Sequence, residues 1–290
     1  KNFEDTIALS VSTAFVTLYD AELRQAYQAA RSLAGLTRER SVEGTTVKFN
    51  VLGTGQATVR TPQTDVTPLN LTYSQVTATM TDYIAAEYSD IFQQSHINFQ
   101  ERNELAQSVG NAIGRRMDQV VIDAFDAASS PGTVANTIAE SGAAGSASDL
   151  NTGKIRAAKK VLDAANVPPD NRTLLIHTNN LSALLGQTTV QSSDYNTIRA
   201  LVDGSLGTWL GFNIVSIGDR DEGSLTKDGS NDRSCYAFHK ECMGMGISMN
   251  QTSRIDYIPE KTSWLVASQF GAGAVSIQDS GIVKITCREA

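Results

Sequence analysis

The apolar positions change period several times along the chain, and each change predicts an element. Leu23, Tyr27 and Ala30 fall on one helical face behind a capping Asp20, and Leu33-Ala34-Gly35 reads as the stop, with Gly35 suited to a left-handed cap. From 45 the period shortens to two. Val47, Phe49 and Val51 alternate with polar residues, Gly53-Thr54-Gly55 interrupts the run, and Ala57 and Val59 resume it. Pro62 and Pro68 bracket a turn-rich segment, after which Leu69, Leu71 and Tyr73 alternate again, and Val76, Ala78, Met80 and Ile84 share one side. Eleven threonines lie between Thr45 and Thr81, and β-branched side chains favour extended backbone because they are stiff at χ1. The pattern predicts a long two-stranded excursion with weak apolar faces. Such a hairpin is not stable alone in water, and a neighbouring subunit is its simplest support.

A 3.6-residue period follows. Asn98 with Glu101 three residues later forms a capping box. Leu105, Val109, Ile113, Met117, Val120, Val121, Ala124 and Phe125 recur at helical spacing. Glu101, Arg102, Glu104, Arg115 and Asp118 fall mostly off that stripe, and Ser129-Ser130-Pro131-Gly132 ends it. A helix over 98–128 would be about 46 Å long, more than twice the usual length, which suits an elongated plate. Residues 131–150, rich in Gly, Ala and Ser, read as a loop or weak hairpin.

From 151 the pattern is mixed α/β. Asp149 or Asn151 caps a helix carrying Ile155, Ala158, Lys159 and Leu162; Pro168-Pro169-Asp170 turns the chain; Leu174-Leu175-Ile176 is a short buried strand. Asn179 or Asn180 starts a helix through Leu181, Leu184 and Leu185, and Ile198, Leu201 and Val202 suggest another. Residues 211–217 read as a strand, 219–233 as a polar loop, and Cys235–Phe238 and Met243–Ile247 as further strands. Three strand-like runs close the chain, Ile255–Ile258, Trp264–Phe270 and Ile282–Thr286.

Composition narrows the function classes. The 290 residues carry a net charge of −7 and a pI of about 5.0, whereas a protein built to grip nucleic acid presents a basic face. Arg115-Arg116 and Lys159-Lys160 are the adjacent basic pairs. An acidic surface repels a nucleic-acid duplex rather than binding it. No apolar run is long enough to span a bilayer, and no signal-peptide pattern opens the sequence. Its first residue is Lys1, as in a trimmed or processed form. Three cysteines without a CxxC, Cys235, Cys242 and Cys287, fit a reducing cytoplasm better than a disulfide framework.

The sequence offers no catalytic, cofactor-binding or metal-ligating residue to assign. The three histidines, His96, His177 and His239, show no two-ligand spacing and read as polar edge or interface residues. Gly271-Ala272-Gly273-Ala274 is not a dinucleotide fingerprint and reads as a tight turn between strands. The acidic stretches Asp219–Gly223 and Asp228–Asp232 lack a calcium-loop register and read as a solvated turn. Walker A and GxSxG are absent, and nothing marks an activated nucleophile. Lys48 stands alone among lysines between 45 and 90 as a candidate for a Lys–Asn cross-link, against its plain reading as an outward strand residue.

The order of parts carries a resemblance. An arm, a long hairpin, a long helix, a compact α/β region and closing strands resemble the HK97-like fold of tailed-bacteriophage major capsid proteins. Local stretches are similar too: Val167-Pro168-Pro169-Asp170-Asn171-Arg172 leading into Thr173–Ile176, Gly204 through Gly211–Val215, and Ser268–Gly273 followed by Gly281–Ile285, which resembles the closing strands of podovirus-type members. The resemblance implies an α+β fold with an N-arm at 1–44, an E-loop hairpin at 45–90 returning into a P-domain, that P-domain at 91–150 with spine helix 98–128, an A-domain at 151–250 and closing strands at 251–290. It implies a structural, non-enzymatic subunit without cofactors. Hexamers and pentamers of it would enclose phage DNA in an icosahedral virion shell, assembled in the host bacterial cytoplasm with scaffolding, portal and decoration proteins as further partners. The competing readings are an encapsulin-like compartment shell around protein cargo and a soluble α/β enzyme with an inserted β-arm.

Overall fold

The computed structural model describes residues 30–66, 68–92, 101–187 and 208–289. The helix behind Asp20, the Asn98 cap, the helix at Ile198–Val202 and His96 lie outside them. Twelve strands and three α-helices make up the described part, with helices α1 (Glu101–Asp126), α2 (Thr152–Ala164) and α3 (Thr178–Leu185). The strands are β1 (Arg38–Ser41), β2 (Thr46–Leu52), β3 (Tyr73–Thr79), β4 (Thr81–Asp90), β5 (Gly132–Val134), β6 (Arg172–His177), β7 (Thr208–Trp209), β8 (Phe212–Ile217), β9 (Asp232–His239), β10 (Met243–Ile258), β11 (Ser263–Ser276) and β12 (Ile282–Arg288). They form a four-stranded sheet in the order β1-β10-β11-β4, a six-stranded sheet in the order β5-β12-β9-β6-β8-β7, and the β2-β3 ribbon.

The long helix forms where its apolar stripe predicts. Val109, Ile113, Met117, Val120, Val121, Ala124 and Phe125 are all buried. At 26 residues the described part of α1 is about 39 Å long. It crosses β11 and β4, with Arg116 4.7 Å over the Tyr83 ring and Arg102 4.9 Å over Trp264. Its far end reaches the six-stranded sheet, where Phe125 stacks on Tyr236 at 5.1 Å. Tyr236 also hydrogen-bonds Asp126, which accepts from Thr226 at 2.7 Å and from Lys284 at 3.1 Å. Burial opposes ionisation of Asp126, but these bonds outweigh it and hold the carboxyl below its ordinary range.

The hairpin differs from its predicted form. Ladder pairing runs only from Thr46↔Thr79 to Leu52↔Tyr73. Among the described residues of 53–72 there is no strand, so Ala57, Val59, Leu69 and Leu71 do not extend the ladder. Threonine propensity alone cannot hold strands whose faces bury nothing. Ile84 does not share the buried side of Ala78, because β4 leaves the ribbon to pair with β11, and Ile84 stays exposed.

Gly271–Ala274 is not a turn but the middle of β11. Gly273 there faces Gly246 of β10 across the ladder. A Cβ at Gly273 would sit 2.0 Å from the Thr79 carbonyl oxygen, and one at Gly246 would sit 2.5 Å from Met80 Cε. The paired glycines form a saddle for the ribbon's base, where Val47, Phe49 and Ala78 are buried with Val42, Met80, Val275 and Ile277. Hence a Gly-rich run appears inside a strand, where close backbone approach excludes side chains. Ile255–Ile258 and Met243–Ile247 belong to the single strand β10, bulged near Met249.

Candidate assembly interface

The described surface is unusual at the end of the ribbon. Val59 is 97% exposed and Val66 88%, and Leu52, Leu69 and Tyr73 are exposed beside them. None of these residues belongs to either core cluster. One exposed apolar side chain means little, but several on a projecting segment mark a contact surface. Lys48 is exposed on β2, where it pairs with Thr77 and points away from Val47 and Phe49. An outward strand residue is what this position provides.

The projecting ribbon needs a rigid root, and the arm supplies part of it. Asp118, expected on the polar face of α1, is fully buried. It accepts from the backbone N–H of Ser32 at 2.7 Å and of Leu33 at 3.0 Å, and Arg220 donates to it at 3.1 Å. Arg220 also donates to Ser32 Oγ at 2.6 Å. A buried carboxylate persists because a charge and two backbone donors replace its water. Arg220 therefore belongs to a three-way junction of arm, helix and loop, and the expected solvated turn does not describe it. Gly35 has φ +72°, the left-handed conformation expected of it. The chain then turns into β1, which runs parallel to β10. Asp118→Asn should cost about 3 kcal/mol, since it leaves the buried Arg220 without its counter-charge. Thermal melting of the two proteins measures it, and an unchanged midpoint would remove the junction's importance.

His177 and His239 correct a second expectation, for both are buried rather than at an edge. Each caps a helix start: His177 Nδ1 accepts from Asn179 N–H at 3.2 Å, and His239 Nδ1 accepts from Glu241 N–H at 3.3 Å. His177 thus takes the capping role expected of Asn179 or Asn180, while Asn151 caps α2 by accepting from Lys154 N–H at 2.8 Å. With Nδ1 accepting, the proton of His177 sits on Nε2, 3.1 Å from Asp219. Arg233 joins Glu289 at 2.6 Å, and Lys227 joins Glu289 at 3.0 Å. This cluster fastens the C-terminal strand to the 219–227 loop.

The cluster carries a pH dependence. Burial opposes ionisation of Glu289, but Arg233 and Lys227 outweigh it and hold the carboxyl below its ordinary 4.5. Its contribution is present above 4.5 and is lost as pH falls through the lowered value. Burial, then the Arg233 charge, holds His177 below 6.5. Below that pH the unfolded chain takes up a proton that the folded chain refuses, so stability again falls with acid. Melting temperature should therefore decline from pH 6.5 downward, with a second loss below 4.5. Glu289→Gln should lower the midpoint at neutral pH and flatten the second loss; an unaltered acid limb would assign it elsewhere.

All three cysteines are buried and unpaired, with burial and then Glu241 pushing the Cys242 thiol up to about 11. Among the described residues no group of three His, Cys, Asp or Glu side chains is placed to hold a metal ion. What the geometry offers is an interface: a rooted, projecting ribbon with an apolar end.

Comparison with solved structures finds the same fold in phage capsids. The capsid of cyanophage P-SCSP1u superposes with a TM-score of 0.76 at 16% identity, over 97% of this chain and 95% of that one. The head structure of Helicobacter pylori bacteriophage KHP40 gives 0.75 at 10% identity, over 100% and 99%. A chain of Mycobacterium phage Che8 gives 0.73 at 16%, over 93% and 97%. No curated protein sequence matches the chain. The model of one family, described as phage capsid protein, matches residues 11–289. That match spans nearly the whole sequence, and the chain belongs to the phage capsid protein family.

Proposed function

We propose that this subunit assembles as hexamers and pentamers into an icosahedral shell that encloses phage DNA, with the ribbon of each copy overlapping a neighbour. Family membership makes the chain a structural subunit of a multi-copy virion capsid, not an enzyme, and sets aside the cargo-compartment and enzyme readings. The observation that carries the finer reading is the apolar end of the ribbon, exposed in one copy and outside both core clusters of the described residues. Weak contacts repeated around a closed shell add up to a stable particle.

In this reading residues 1–44 are the arm, 45–90 the E-loop hairpin, 91–150 the P-domain, 151–250 the A-domain, with that last boundary inside β10, and 251–290 the closing strands. The net charge of −7 keeps the wall from condensing on DNA. Assembly takes place in the host cytoplasm, with scaffolding, portal and decoration proteins as partners, and the phage is of podovirus type. Electron microscopy and light scattering of purified protein test the shell architecture. Closed particles with six- and five-fold capsomers are expected; a monodisperse monomer under every assembly condition would overturn it.

A further inference from the structure

We propose that the groove between α2 and the outer edge of β5 is a docking site for an extended, acidic and apolar segment of a partner protein. β5 lies at one edge of the six-stranded sheet and pairs with β12 on its inner side alone among the described residues. Beside it lies a groove of about 710 Å³ lined by Thr133 and Val134 of β5 and, on the other wall, by α2. Close backbone contacts fix the walls. A Cβ at Gly132 would meet Val161 Cγ1 at 2.6 Å, and one at Gly153 would lie 2.0 Å from the Ala139 carbonyl oxygen. These contacts hold α2 against β5 and against the loop that joins them, which supplies Ala135, Ile138, Ser141 and Gly142 to the lining.

Three features define the occupant. An unpaired strand edge offers backbone donors and acceptors to an extended segment, the geometry of strand addition. The lining includes Val134, Ile138, Ala157 and Val161, so alternate side chains of that segment must be apolar. Arg156 and Lys160 stand one helical turn apart on the rim, both exposed. Arg156 donates to the Ser141 carbonyl at 2.9 Å, and neither residue forms an ion pair among the described residues. The one acid of α2, Asp163, is taken by Arg172 at 2.7 Å. In a chain of net charge −7, this uncompensated pair of cations calls for carboxylates. The Lys159-Lys160 dipeptide thus finds a use that the shell reading leaves open. A nucleic-acid backbone would satisfy the cations but leave the apolar lining and the strand edge uncovered. This chain's own ribbon end carries only Arg60 and Asp65 between 53 and 72, and does not complement the rim.

Selection from a displayed library of random linear peptides against the purified full chain tests the proposal. Enriched peptides are expected to alternate apolar residues and to carry Asp or Glu at a flank. They should slow amide exchange at Gly132–Val134, and they should bind the double variant R156E/K160E at least roughly tenfold more weakly. The neutral variant R156Q/K160Q should bind at an intermediate level, with the melting temperature of the wild-type protein. No enrichment, enrichment without acids, equal affinity for R156E/K160E, or protection elsewhere would overturn the proposal. So would displacement of the peptide by a short oligothymidylate that binds these two cations more tightly, which would make the groove a phosphate site. Shell formation is scored separately on the same variants, so failure of this site leaves the assembly reading intact.

Discussion

Removal of residues 53–70 is expected to abolish closed shells while the remainder of the chain still folds. The described residues of the segment form no strand and belong to neither core cluster, so its loss takes little from a single subunit. The paired positions Leu52 and Tyr73 then stand two residues apart, and Leu71→Asn with Thr72→Gly turns that gap into a favoured two-residue hairpin loop. The base of the ribbon stays seated, because Val47, Phe49 and Ala78 lie below the cut. What disappears is the exposed apolar end carrying Val59, Val66 and Leu69. Where each contact is weak and the shell multiplies it, deletion of one recurrent contact acts on every interface at once. Circular dichroism should retain the native spectrum, and particle imaging should show free subunits, capsomers or aberrant sheets. Normal closed shells from the shortened chain would show that the ribbon does not join subunits.

The sequence is legible where one physical signal acts alone. The stripe from Val109 to Phe125 fixes a helix because burial rewards every third or fourth position, and that part of the pattern maps directly onto the structure. Leu174–Ile176 and Cys235–Phe238 are short apolar runs, and both lie in the interior of the six-stranded sheet. It misleads where tertiary contact decides. Asp118 sits off the stripe by spacing, yet a buried Arg220 from a distant loop and two N–H groups of the arm draw it inward. Gly273 looks like a turn residue because its reason for being glycine is Thr79, nearly two hundred positions away. His177 and His239 carry no local sign that they cap helices, since His is an uncommon capping residue. The apolar end of the ribbon includes Val59 and Leu69, which periodicity alone reads as strand residues because it cannot tell a buried partner from an absent one.

Ile113→Asp is expected to damage the protein far more than Arg115→Ala, two positions along the same helix. Ile113 is 2% exposed and belongs to the main core cluster, with Val109 and Met117 one turn to either side. Losing its burial costs about 1.5–3 kcal/mol. A carboxylate in its place loses its water without a counter-charge, at a further cost of several kcal/mol. The total, roughly 5 kcal/mol or more, is comparable with the whole stability of many domains. Arg115 lies off the stripe at intermediate exposure, where truncation of a charged side chain changes stability by about 0–1 kcal/mol. The neighbouring Asp118 does not blur the comparison, because its partners are Ser32, Leu33 and Arg220 rather than Arg115. Soluble yield and melting temperature of the two variants decide the matter. Ile113→Asp should be insoluble or melt far below the parent, and Arg115→Ala should melt within a few degrees of it. Equal losses would mean that α1 buries a different face, and its packing across β11 and β4 would have to be redrawn.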